Sequence, residues 1–252
     1  MKILATADLH FAYNNSKTLK QLKRIVSKEK PDVLVIAGDV YDYRDINPYN
    51  ELSEFNIPVV FCLGNHEFAY RNQTITKIIY SDNDTSNVFC LDVCGHVDIN
   101  GVRFVGNVLW YDGSLSERWD VEAKLSNIDD SWLDSTIGNF NPTKENKACI
   151  IQIKENLKDC TIPTMLVTHT VPYFKLNQFC FTMPMGVYNI YSGVKDLFGN
   201  DDIYVDMAVC GHTHREAKVV YKHKDGRETF CWNVGNNYFE GSGEIKYQLI
   251  EI

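Results

Sequence analysis

One event recurs along this sequence: a short apolar run stops, and Asp, His or Asn follows within a residue or two. Residues 2–7 run into Asp8-Leu9-His10, residues 33–37 into Gly38-Asp39-Val40-Tyr41-Asp42, and residues 57–63 into Gly64-Asn65-His66-Glu67. Residues 165–168 run into His169, and residues 205–210 into Gly211-His212-Thr213-His214. Short apolar runs bounded in this way read as buried strands. Between the first two, Ser16 is expected to cap a helix over residues 17–30. Leu19, Leu22, Ile25 and Val26 share one face of it, and Pro31 ends it. Strands joined by helices pair in parallel, which makes an α/β sheet whose ligand site lies beyond the carboxyl ends of the strands.

The remaining pattern extends the sheet. Residues 88–91, 97–99 and 102–109 read as strands, with Asn100-Gly101 as a hairpin turn. A helix is expected over 143–158, strands over 163–168 and 205–210, and a hairpin of 218–223 and 229–234 around Lys224-Asp225-Gly226. A last strand is expected over 245–250. Residues 116–137 read as a polar helical region in which Trp119 and Trp132 anchor to the core. No repeat or low-complexity linker divides the chain, so residues 1–252 are expected to form a single domain.

Charge and cysteine usage narrow the class. Lys and Arg total 25 against 33 Asp and Glu, a net charge of −8, so the chain lacks the basic field of a general nucleic-acid binder. The acidic balance suits a protein that holds cations. No apolar run approaches the ~18 residues of a membrane span. The first run, interrupted by Asp8, is too short for a signal-peptide core, so a cytoplasmic protein with no membrane partner is expected. Cys62, Cys149, Cys180, Cys210 and Cys231 stand singly among apolar or aromatic neighbours, like small buried hydrophobes. Cys90 and Cys94 lack the second close pair that a zinc site of usual spacing needs.

Of the 7 histidines, His10, His66, His169, His212 and His214 sit at the strand ends. Asp, His and Asn delivered to one sheet edge supply the oxygen and nitrogen ligands that divalent ions take. A carboxylate can bridge two ions, and Asp39 is the natural bridge. Asp8 and His10 can face one ion if the strand has ended there, and His212 and His214 have the same spacing. His96 and His223 stand apart from any such cluster and read as ordinary strand or surface residues.

The ordered set Asp8-x-His10, Gly38-Asp39-x-x-Asp42, Gly64-Asn65-His66-Glu67, His169 and Gly211-His212-x-His214 resembles the calcineurin-like metallophosphoesterase superfamily. The resemblance implies a four-layer sandwich of two mixed β-sheets flanked by α-helices. It implies two divalent metal ions, with Mn favoured and Fe, Co, Ni or Zn also suited. Asp8, His10, Asp39 and His214 would hold one, and Asp39, Asn65, His169 and His212 the other. A metal-bridging hydroxide would attack the phosphoester, His66 would assist the leaving group, and Asp42 would orient His66.

Departures from subfamily patterns bear on the substrate. Tyr43-Arg44 after Asp42 and Leu63 before Gly64 replace the phosphate-gripping arginines of protein phosphatases. Tyr41 is one place early for the tyrosinate ligand of purple acid phosphatases. Only residues 215–252 follow the last motif, which together with the charge argues against duplex DNA. A small prokaryotic or phage-type enzyme acting on a small phosphate-ester or nucleotide substrate is expected. The alternatives are a nuclease subunit of a DNA-repair type complex and a non-catalytic interaction protein on the same fold. Residues 173–192, dense in aromatics and methionine, read equally as a substrate-side rim or as a loop packed on the core or a dimer contact.

Overall fold

The structure is a computed structural model that describes residues 1–41, 49–81, 85–177, 187–200, 202–236 and 244–252, and for 12–16 and 75 the backbone alone. Its first half runs β1 (Lys2–Thr6), α1 (Phe11–Glu29), β2 (Val33–Ala37), α2 (Tyr49–Ser53), β3 (Val59–Cys62), α3 (Asn65–Phe68), α4 (Gln73–Ser81) and β4 (Val88–Cys90). It continues through α5 (Leu91–Cys94), β5 (His96–Ile99), β6 (Val102–Asn107), α6 (Val121–Ser126), α7 (Pro142–Leu157) and β7 (Thr164–Thr168). The chain ends with α8 (Val187–Ile190), β8 (Met207–Cys210), β9 (Ala217–Lys222), β10 (Glu228–Asn233) and β11 (Gln248–Glu251).

Two mixed sheets result. One has the order β11-β1-β2-β3-β4, parallel except where β11 pairs β1. The other has the order β5-β6-β7-β8-β10-β9, with antiparallel pairs at both edges. Side chains alternate along each strand, so every central strand feeds two cores. Ile3, Ala5, Val33, Val35, Val60 and Cys62 meet Phe104, Met165, Val167, Met207 and Val209 between the sheets. Leu4, Leu34, Ile36 and Phe61 face outward with Leu22 and Val26 of α1. Cys149 and Ile153 place α7 in the same outer cluster, and α7 contacts β6. The expected α/β sandwich of two mixed sheets flanked by helices is thus the observed fold.

Three local expectations are corrected. Helix α1 starts at Phe11, and its N-cap is His10 rather than Ser16. His10 and Phe11 donate their N–H groups to Asp39 O and Val40 O at 3.0 Å each, and these long-range bonds start the helix before Ser16 is reached. Residues 116–137 contain only α6 and a 3₁₀ turn at Leu133–Thr136. Trp119 is 95% exposed and so is no core anchor, whereas Trp132 packs on the core. The Asn100-Gly101 turn has φ of 49° and 80°, as a type I′ hairpin requires.

Candidate metal centre

The carboxyl ends of β1, β2, β3, β7 and β8 meet at one edge of the sandwich. There the backbone leaves the extended region at the residues that carry donor groups. Asp8, His10, Asp39, His212 and His214 have φ of 53°, 44°, 51°, 67° and 54°. A left-handed residue other than glycine costs roughly 1–2 kcal/mol and persists only where its surroundings over-determine it. Here Asp8 N–H donates to Gly38 O at 3.1 Å and Gly211 N–H to His169 O at 3.0 Å, locking the loops together. Asp8 and His10 therefore converge because the strand has ended, each bending left-handed.

Asp39 is the hub, 1% exposed. Its Oδ2 lies 3.6 Å from His10 Nε2, 3.4 Å from His169 Nε2 and 3.8 Å from His66 Nε2. Asp8 Oδ1 lies 3.9 Å from His214 Nε2. One ligand atom each from Asp8, His10, Asp39 and His214 fall within 4.8 Å of one another. Most of these separations exceed hydrogen-bond length. Ligands at 2.0–2.2 Å from a common ion stand roughly 3–3.6 Å apart, close to the spacing seen.

A second donor set shares Asp39. His169 Nε2 lies 3.0 Å from Asn65 Oδ1 and 3.1 Å from His212 Nδ1. His169 Nδ1 donates to Ala37 O at 3.0 Å, and His212 Nε2 donates to Tyr191 O at 2.9 Å. Each carbonyl fixes the tautomer of its imidazole and turns the other nitrogen's lone pair inward. Two lone pairs and an amide oxygen then face one another, an arrangement that is favourable only around a proton or a cation. The residues present therefore fit a metal.

The electrostatics carry the same demand. Burial and the charge of Asp39 raise Asp8 to about 7, against His169. Burial would also raise Asp39, but His169, His66 and His10 outweigh it and hold it below the usual carboxylate range. Burial opposes the charge on His169, yet Asp39 and Asp8 raise it to about 10. Burial, with a neighbouring histidine in each case, lowers His212 to about 3 and His214 to about 2.

His66 sits in the first turn of α3, its N–H donated to Asp39 Oδ1 at 3.1 Å and its side chain 18% exposed. Its ring meets His10 edge-on at 4.5 Å. Asp42 lies outside the described residues, as do 178–186 of the aromatic segment. Tyr41 turns into the core and packs edge-on against Phe11. His96 and His223 sit away from the centre, bonded to Asn156 and Thr229.

The supporting roles of Glu67, which stands inside a motif, and of Asp134, which stands outside every motif, have no signal in the sequence pattern. Glu67, 1% exposed, accepts the N–H of Tyr41 at 2.8 Å and of Gly64 at 2.6 Å, tying together the loops that carry Asp39 and Asn65. Burial, then the charge of Asp39, raises it to about 8. Asp134 accepts Asn65 Nδ2 and Tyr111 OH, both at 2.8 Å. Gly38 combines φ 81° with a position where a Cβ would strike the His169 ring.

Fold and centre together define an α/β sandwich whose two sheets bring Asp, His and Asn side chains together as a candidate metal centre. The sequence profile of the calcineurin-like phosphoesterase family matches residues 1–216, and the chain belongs to that family. It is similar to an uncharacterized metallophosphoesterase of Campylobacter jejuni, 29% identical over 117 residues, covering 40% of this chain and 31% of that protein. It is also similar to one component of the nuclease SbcCD of Staphylococcus epidermidis, 28% identical over 123 residues, covering 41% of this chain and 33% of that protein. The matched stretches thus span about a third of those curated relatives. Among solved structures, the phosphopantetheinyl hydrolase of Mycobacterium tuberculosis shares the fold with a TM-score of 0.68 at 18% identity, over 99% of this chain and 95% of that one. Among the described residues no helix is long and apolar enough to cross a membrane.

Proposed function

We propose that residues 1–252 form one dinuclear metal-dependent phosphoesterase domain acting on a small phosphodiester, phosphomonoester or nucleotide. The observation that carries this reading is the position of Asp39 Oδ2, 3.6 Å from His10 of one donor set and 3.4 Å from His169 of the other. Asp8, His10, Asp39 and His214 would hold one divalent ion, and Asp39, Asn65, His169 and His212 the second, with Mn favoured. When bound, the ions supply an activated water and offset charge on the phosphoryl oxygens. His66 belongs to neither set. Held by its backbone bond to Asp39 and reachable from solvent, it protonates the leaving oxygen, a role suited to imidazole near neutral pH. Asp42 keeps the orienting role that the sequence resemblance implies for it.

The test is a matrix of metals and substrates. Metal-free protein is loaded with Mn, Fe, Co, Ni or Zn and offered bis-p-nitrophenyl phosphate, p-nitrophenyl phosphate, cyclic nucleotides and single-stranded DNA. Two ions per chain and hydrolysis of at least one small ester are expected. A single bound ion, or no hydrolysis with any metal, overturns the reading. Hydrolysis of DNA alone favours the nuclease alternative, for which the similarity to the SbcCD component is the support.

A further inference from the structure

Asn65 is the one amide among the proposed ligands, and an amide has two faces. Its carbonyl can bind a cation, whereas its NH₂ repels one. The backbone does not choose between them, since turning the side chain exchanges O and N with little change of shape. Asp134 makes the choice. It is 3% exposed, and its Oδ1 accepts Asn65 Nδ2 at 2.8 Å while its Oδ2 accepts Tyr111 OH at 2.8 Å. A carboxylate accepts on both oxygens, so the NH₂ must face Asp134 and the carbonyl must face His169 Nε2, 3.0 Å away. Tyr111 is fully buried and occupies the other carboxylate oxygen, which stops Asp134 from swinging away.

The same layer reaches the second ligand set from another side. The Tyr111 ring packs edge-on against Tyr191 at 5.3 Å, and Trp132 packs against Tyr191 at 4.7 Å. Tyr191 is the residue whose carbonyl holds His212 Nε2. The turn carrying Asp134 is itself pinned beside α3. Tyr70 N–H donates to Thr136 Oγ1 at 3.0 Å, and Gly138 N–H donates to Arg71 O at 2.7 Å. Asn65 and His212 thus both lean on this layer, whereas no such contact joins Asp134 or Tyr111 to Asp8, His10 or His214 among the described residues.

We propose that Tyr111 and Asp134 are positioning residues that set the affinity of the second metal position by fixing the Asn65 amide. This inference rests on the dinuclear reading above. Outer partners of metal ligands typically contribute ~10–100-fold in metal affinity. The loss should fall on one ion of the two, which a general weakening of the fold would not produce.

The experiment is calorimetric titration of Mn²⁺ into metal-free wild type, Asp134→Ala, Asp134→Asn and Tyr111→Phe, with electron paramagnetic resonance at saturating and limiting metal. Wild type is expected to bind two ions and to show a spin-coupled pair. Asp134→Ala should bind the first ion normally and the second ~10–100-fold more weakly, with an uncoupled Mn²⁺ spectrum at intermediate metal. Asp134→Asn keeps a carbonyl that can accept from Asn65, so it should recover most of the loss. Tyr111→Phe removes one hydroxyl and keeps the ring. It reads the same coupling should Asp134→Ala fail to fold, with a several-fold loss at the second ion alone. Unchanged second-ion affinity in Tyr111→Phe or in folded Asp134→Ala overturns the proposal, as does equal weakening of both ions. Wild type that binds only one ion would instead overturn the dinuclear reading itself.

Discussion

Removing metal should make this protein alkali-sensitive, and the size of the effect follows from the buried charges. In the metal-free chain Asp8, Glu67 and His169 have pKa values raised to about 7, about 8 and about 10. A group whose folded pKa is raised contributes stability that is full below its unfolded pKa and is lost as pH rises through the folded one. Between pH 7 and 9 the unfolded Asp and Glu hold almost no protons and the unfolded His few. The folded chain therefore holds roughly one to two more protons than the unfolded chain, a slope of about 2 kcal/mol per pH unit. Two pH units remove on the order of 4 kcal/mol. Of the lowered groups, Asp39 completes its contribution well below pH 7, and His212 and His214, whose unfolded pKa is about 6.5, offset the loss only slightly just above pH 7. At roughly 2–4 °C per kcal/mol for a chain of this size, Tm should fall by about 10 °C. The assay is thermal melting by circular dichroism in excess chelator from pH 7 to 9, beside Mn²⁺-loaded protein. The loaded protein should hold its Tm, because cations take over what the protons do and bind better as protons leave. A chelated Tm that stays level or rises with pH would refute the reasoning.

Asp39→Asn should lower metal content and abolish turnover, since a neutral amide is a poor bridge between cations; elemental analysis and a phosphodiesterase assay read both. His66→Gln should keep its metals and lose ~10²–10⁴-fold on an alkyl ester, with a much smaller loss on a p-nitrophenyl ester whose leaving group needs no proton. Equal losses on the two esters would remove His66 as the proton donor. Gly38→Ala places a Cβ against His169 at a left-handed φ of 81°. It should cost at least ~1–2 kcal/mol in urea unfolding and loosen metal binding with it.

The strand ends were legible because central strands of a covered sheet are buried on both faces, so they read as unbroken apolar runs that stop where the sheet stops. Residues 33–37 were placed without error for this reason. The start of α1 was not legible, because the turn at His10 is fixed by carbonyls of Asp39 and Val40, and a local cap signal at Ser16 cannot compete with them. Glu67 stood inside a motif, yet its partners are backbone N–H groups, which have no sequence signature. Asp134 meets Asn65 across 69 residues and lies in a segment that reads as a polar helix but folds as a short 3₁₀ turn, so no pattern announced it. Trp119 shows the converse, a large aromatic in the open where composition alone favours burial.

The contribution of both sheets to one centre also sets when that centre can exist during synthesis. His169 meets Asn65 across 104 residues, and the His212 N–H meets Asp8 across 204. Chain emerging from the ribosome at roughly 5–20 residues per second leaves the Asp8–Asp39 half without its partners for on the order of ten seconds or more. During that time neither proposed donor set is complete, so a cation would find only part of its ligands. Contacts of such long range also form late for entropic reasons, after local helices and hairpins. On the dinuclear reading, metal loading would be a closing step: both proposed sets are complete only once β8 has docked and the chain has passed His214.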